Sequence, residues 1–175
     1  MEKKAVSISI ANIRLLNLEI ILPVLAFSIP FLLTGPQWLT GTMVNSLLYI
    51  ASSKQTRGKQ LVFISLLPSV GAISNGILLG KFTPFLILFL PSIWIGNMIL
   101  VKSFAKLKNV FSFPFSVIFS STLKTAVLYL SALILVGNHL APNIFLSSMG
   151  MIQLFTALMG GTIAFTLFKI AKRKI

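Results

Sequence analysis

The row Phe85-Leu86-Ile87-Leu88-Phe89-Leu90 places six large apolar side chains side by side without a break. A membrane β-strand would alternate lipid-facing and lumen-facing residues over about 10 positions, so this row excludes a barrel. It belongs to a longer apolar stretch from Thr83 to Val101, close to the ~20 residues that carry a helix across hydrocarbon. Inside a bilayer such a stretch satisfies its backbone only as a helix. Reading outward, the same pattern recurs on both sides. The candidate spans are 14–33, 36–51, 61–80, 83–101, 113–137 and 147–168. The second is the shortest and carries Gly, Gln, Thr and Asn. The expected fold is therefore all-α: an integral membrane bundle of six transmembrane helices, with residues 1–175 forming a single transmembrane domain.

Composition points the same way. Of 175 residues, 56% are hydrophobic and only 10% charged, against about 25% charged in soluble domains. Mean hydropathy is +0.97. A soluble chain of this length has too much surface for its volume to hide that apolar content. With no Cys, one His and two acids, thiol chemistry and Cys-based metal sites are excluded, and most acid–base catalysis lacks its parts. No metal site and no cofactor is expected.

The net charge of +13 reads as a topology signal. Lys3 and Lys4 precede the first span. Lys54, Arg57 and Lys59 separate the second from the third. Lys102, Lys106 and Lys108 lie between the fourth and fifth, and Lys169, Lys172, Arg173 and Lys174 close the chain. The opposite loops hold only Lys81. Six spans with both termini cytoplasmic satisfy the positive-inside rule, and the expected location is the cell (plasma) membrane, multi-pass. The basic clusters fall where topology needs them, so nucleic acid is not an expected partner; the lipid bilayer is. No cleavable signal peptide is expected, because Asn12, Arg14, Asn17 and Glu19 interrupt the first apolar stretch.

Function is sought in residues too polar for their surroundings. Glu19 lies in the first span, where an acid costs on the order of 2.5–3.5 kcal/mol at the centre. Lys124 lies mid-way along the fifth, flanked by Ser120, Ser121, Thr122 and Thr125. Glu19 can serve as a local partner of Arg14, pair with Lys124, or contact a ligand. Lys124 has no acid in its own segment, so its counter-charge comes from Glu19 or from an anionic ligand. The amides Gln37, Asn45, Asn75, Asn97 and Gln153 are either interhelical glue or ligand contacts. Trp94 sits mid-span and needs an acceptor for its N–H. Trp38 is an interfacial anchor or the cap of a pocket. Lys124, Glu19, Trp94, Asn97, Asn75, Asn45, Gln37 and Trp38 are the candidate ligand-binding set; no residue is expected to be catalytic. Pro23, Pro30, Pro68 and Pro91 interrupt helical hydrogen bonding, as transporters do at binding sites, or simply curve the helices. Gly76 and Gly80, with Gly160 and Gly161, supply small residues at helix-contact spacing.

Three stretches together resemble the substrate-binding (S) components of energy-coupling factor (ECF) transporters of prokaryotes: Thr34-Gly35-Pro36-Gln37-Trp38 continuing to Asn45, Pro68-Ser69-Val70-Gly71-Ala72-Ile73-Ser74-Asn75-Gly76, and Pro84 to Asn97. The resemblance implies a six-helix subunit with cytoplasmic ends that captures a vitamin or cofactor precursor near the outer face. It also implies docking through the first helix onto a transmembrane coupling subunit driven by two ATPase subunits. The family docks through alanine-x-x-x-alanine; the nearest equivalents here are Ser7-x-x-x-Ala11 and Ala5-x-x-x-Ser9. The expected function is thus capture of a small-molecule ligand for transport, without catalysis of its own. The alternative is a small membrane enzyme or membrane-complex assembly factor of unknown chemistry. A channel or structural subunit is a third reading.

Overall fold

The computed structural model describes residues 20–33, 35–53 and 58–173, and among these every regular element is helical. In chain order they are α1 (Ile20–Leu32), α2 (Gln37–Ser53), α3 (Gly58–Asn75), a 3-10 turn (Gly80–Phe85), α4 (Leu86–Leu107), α5 (Phe113–Gly137), the short α6 (Ile144–Met149) and α7 (Met151–Arg173). The all-helical expectation holds throughout the described chain. Glu19, Ser7 and Ala11 lie outside the described residues.

Three helical segments are long and apolar enough to cross a membrane: Gly80–Leu107, Phe113–Gly137 and Ile144–Ala171. This is fewer than the six spans expected, and the reason is visible in α2 and α3. α2 is 17 residues long and buries Thr40, Thr42, Asn45, Ser46 and Ser52 among its neighbours. Its polar face is covered by protein, so it needs no uniformly apolar surface. α3 begins with Gly58-Lys59-Gln60 and ends with Ser74-Asn75, which dilutes its apolar middle. The described part of α1 is apolar but shorter.

α2 lies chiefly against α7, and α4 against α5; α3 packs on α4, and α5 on α7. Gly160 permits a close approach of α7 to α2: a Cβ there would stand 2.6 Å from the Ser46 nitrogen and 2.8 Å from the Asn45 Cβ. Gly76 and Gly80 play a different part from the helix contact expected of them. Both have positive φ (73° and 55°), and a Cβ added at either would meet nothing within 4 Å; they turn the chain from α3 into the 3-10 segment.

Two apolar clusters hold the bundle. One joins Leu22, Val44, Leu48, Tyr49, Ile64, Leu100, Phe104 and Val117, with Tyr49 edge-on to Phe104 at 4.8 Å. The other joins Ala72, Leu86, Phe89, Leu128, Phe145 and Met149, with Phe89 stacked on Phe145 at 4.6 Å. Outside them, Ile87, Ile95, Ile118, Leu130, Ile134 and Met151 are exposed. So large an apolar exterior marks contact with lipid, and the chain is a membrane protein. At the end of the bundle that carries Ser53, Gly58 and residues 108–112, Lys108 donates from Nζ to the carbonyls of Ser52 (3.2 Å) and Ser53 (3.0 Å). It thereby occupies the last carbonyls of α2, where a cation is favoured.

Candidate functional site

A cavity of about 90 Å³ lies between the two apolar clusters. It faces the end of the bundle formed by residues 35–36, 76–85 and 138–150. Every helix contributes to its wall: Pro30 from α1; Gln37, Thr40, Gly41, Val44 and Asn45 from α2; Pro68, Ser69 and Ala72 from α3; Ile93 and Asn97 from α4; Lys124 and Leu128 from α5; Met149 from α6; and Gln153 from α7.

Among the described residues, Lys124 is the only charged one in that wall. It is 3% exposed, and its stem passes close to α4 because position 96 is glycine: a Cβ there would meet the Lys124 Cγ at 3.4 Å. Its Nζ donates to Asn45 Oδ1 at 2.6 Å. Asn45 Nδ2 donates in turn to Thr156 Oγ1 at 3.2 Å, and Thr156 Oγ1 to the Gln153 carbonyl at 3.1 Å. One polar chain thus ties α5 to α2 and α2 to α7. The described residues include no Asp or Glu, so among them the ammonium has an amide acceptor but no counter-ion. An ammonium has three N–H donors and a buried charge without a partner is costly.

Asn97 forms the opposite polarity. Its Nδ2 donates to the Ser65 carbonyl of α3 at 2.8 Å. Its Oδ1 is buried with no hydrogen-bond partner, as is Thr40 Oγ1. Buried polar atoms are nearly always satisfied by protein or water; here the two residues that carry unsatisfied ones line the same cavity as an ammonium with spare donors.

The structure brings Gln37, Asn45, Asn97, Lys124 and Gln153 together and leaves Asn75, Trp94 and Trp38 elsewhere; Glu19 lies outside the described residues. Gln37 Nε2 donates to the Ser148 carbonyl at 3.3 Å, linking α2 to α6. Asn75 ends α3: its Nδ2 donates to the Phe31 carbonyl at 2.6 Å and its Oδ1 accepts from Ile77 N–H at 3.2 Å. Trp94 lies in an outer groove with Ile95, Met98 and Ile99, and its Nε1 donates inward to Ser69 Oγ at 2.7 Å. Trp38 is 52% exposed. The hydroxyls beside Lys124 serve the packing of α2: Tyr49 Oη shares hydrogen bonds with Ser121 (2.8 Å) and Ser120 (3.2 Å), and Thr122 donates to the Ile118 carbonyl.

Thr40, Ser69 and Thr156 are site residues that the sequence alone does not single out. Hydroxyl residues are common in membrane helices and often bond their own preceding turn, so nothing marks these three among the rest.

The chain matches no protein-family model, no curated protein and no solved structure. What the site does must be argued from its own chemistry. An ammonium, four amides, one of them with an unpaired carbonyl oxygen, and an unpaired hydroxyl can bind and orient a polar group. They form no nucleophile–base pair and no metal-ligand set; no group of three His, Cys, Asp or Glu occurs among the described residues.

Proposed function

We propose that this protein is a substrate-capture subunit of a membrane transporter for a small molecule. The observation that carries the reading is the cavity in which Lys124, without a counter-ion among the described residues, shares a wall with the unpaired Asn97 Oδ1 and Thr40 Oγ1. Ligand pockets in membrane bundles combine an apolar wall with a few convergent polar groups, and an ionisable residue at membrane depth is a functional site by default. In this reading the chain crosses the membrane six times, with both termini cytoplasmic and the cavity opening outward. α1 to α3 count as spans because neighbouring helices shelter their polar faces. The distribution of basic residues supports that orientation.

The resemblance to ECF S components extends the proposal: a vitamin or cofactor precursor as ligand, and a coupling subunit with two ATPase subunits as partners. Docking is assigned to the first helix around Ser7 and Ala11, outside the described residues. The chain carries no phosphate-binding loop, so any ATP-driven step belongs to those partners. The protein performs no chemistry on its ligand.

The test is purification from native membranes under mild detergent. A small molecule retained at near-equal stoichiometry, or a co-purifying coupling subunit with ATPases, is expected. Retention of neither under several growth conditions contradicts the proposal, and turnover of a substrate that Glu19→Gln abolishes would favour an enzyme instead.

A further inference from the structure

The polar groups of the cavity are unequal in a way that specifies a ligand. Lys124 brings one positive charge and uses one of its N–H donors on Asn45. Thr40 Oγ1 has no partner and can donate. Asn97 Oδ1 can only accept, and nothing donates to it. Resting on the capture reading above, we propose that the site takes a compact monocarboxylate carrying one neutral N–H or O–H donor. The carboxylate lies on Lys124 and Thr40, and the neutral donor on Asn97 Oδ1.

Each alternative leaves something uncompensated. A neutral ligand leaves the ammonium buried without a counter-charge among the described residues. A dianion leaves a second negative charge facing a wall that has one cation among the described residues. A zwitterion puts an ammonium beside Lys124 in a wall that has no carboxylate among the described residues. Size follows from volume: about 90 Å³ corresponds to roughly six to nine water-sized units. The ligand is therefore small, with a short aliphatic or single-ring body against Val44, Pro68, Ile93 and Leu128.

The purified full chain, stripped of bound molecules and held in nanodiscs at neutral pH, is titrated with small hydroxy and amido monocarboxylates. Isothermal calorimetry compares 2-hydroxyisocaproate, its primary amide, leucine and inorganic phosphate as matched probes. The expected result is saturable binding of at least one monocarboxylate, with its amide weaker by about tenfold or more and the amino acid and phosphate weaker still. Asn45→Asp supplies Lys124 with a carboxylate inside the existing 2.6 Å contact, and Thr156 can turn its one O–H from the Gln153 carbonyl to the second oxygen. That variant should keep its Tm and lose about tenfold or more in carboxylate binding. Equal binding of acid and amide, preference for leucine or phosphate, absence of carboxylate binding, or unchanged binding by Asn45→Asp each overturns the ligand class. A neutral or cationic molecule retained on purification would overturn this ligand class while leaving the capture reading intact. If wild-type protein retains and binds nothing, both fall.

Discussion

Lys124 Nζ lies 2.6 Å from Asn45 Oδ1, so the only charge among the described residues of the cavity wall is held by an amide, which accepts its hydrogen bond without neutralising it. That arrangement is poor for stability alone. Replacing unpaired buried charges by apolar residues of similar size is often neutral or stabilising, whereas an orphaned amide oxygen costs about 1–3 kcal/mol.

Lys124→Met removes the buried charge but also takes the donor from Asn45 Oδ1; the two effects oppose, so the ligand-free protein should stay folded with a Tm within about 5 °C of wild type. Thermal unfolding in detergent measures this. A fall of more than about 5 °C, which exceeds 1 kcal/mol for a chain of this size, would make Lys124 a structural residue.

Gly160→Val drives a side chain into the α2 backbone, where even a Cβ would stand 2.6 Å from Ser46 N. Overpacking of this kind costs about 1–3 kcal/mol. It also displaces Asn45 from Thr156, so Tm and ligand retention should fall together. Gly137→Ala faces open space and is the control, with both quantities near wild type.

Trp94→Phe removes the 2.7 Å bond to Ser69, a residue of the cavity wall, although Trp94 itself does not line the cavity. Interhelical side-chain hydrogen bonds in membranes average about 0.6 kcal/mol. Stability should drop by about that amount, while ligand affinity stays within roughly threefold. A loss of binding far beyond the loss of stability would place Trp94 at the ligand.

The contrast between Trp94 and Asn97 shows how far the sequence could be read. Both are misfits in an apolar run, three residues apart, yet Asn97 borders the cavity and Trp94 sits in an outer groove. α4 is apolar on every side, so no periodic pattern tells which face turns inward. Gln37, Asn45, Lys124 and Gln153 were legible because amides and charges at membrane depth need a reason to be there. Thr40, Ser69 and Thr156 were not, because a hydroxyl can satisfy itself on its own helix, as Ser65 does on the Leu61 carbonyl at 2.7 Å. The polarity that made the second stretch the least convincing span is explained by α2 turning Thr40, Asn45 and Ser46 into the bundle.

The absence of Cys makes orientation simple to test. His139 and Lys106 are both exposed and lie at opposite ends of the bundle. His139→Cys should react with a membrane-impermeant maleimide on intact cells. Lys106→Cys should react only after permeabilisation. The reverse pattern would place the cavity mouth on the cytoplasmic side.

Mass spectrometry of the ligand released from wild type and from Lys124→Met, purified in parallel from the same membranes, tests the account at its centre. Wild type should release one small molecule in near-equal amount to protein, and Lys124→Met, equally folded, should release at least about tenfold less. Equal amounts from both would contradict the claim that this buried ammonium holds the captured molecule.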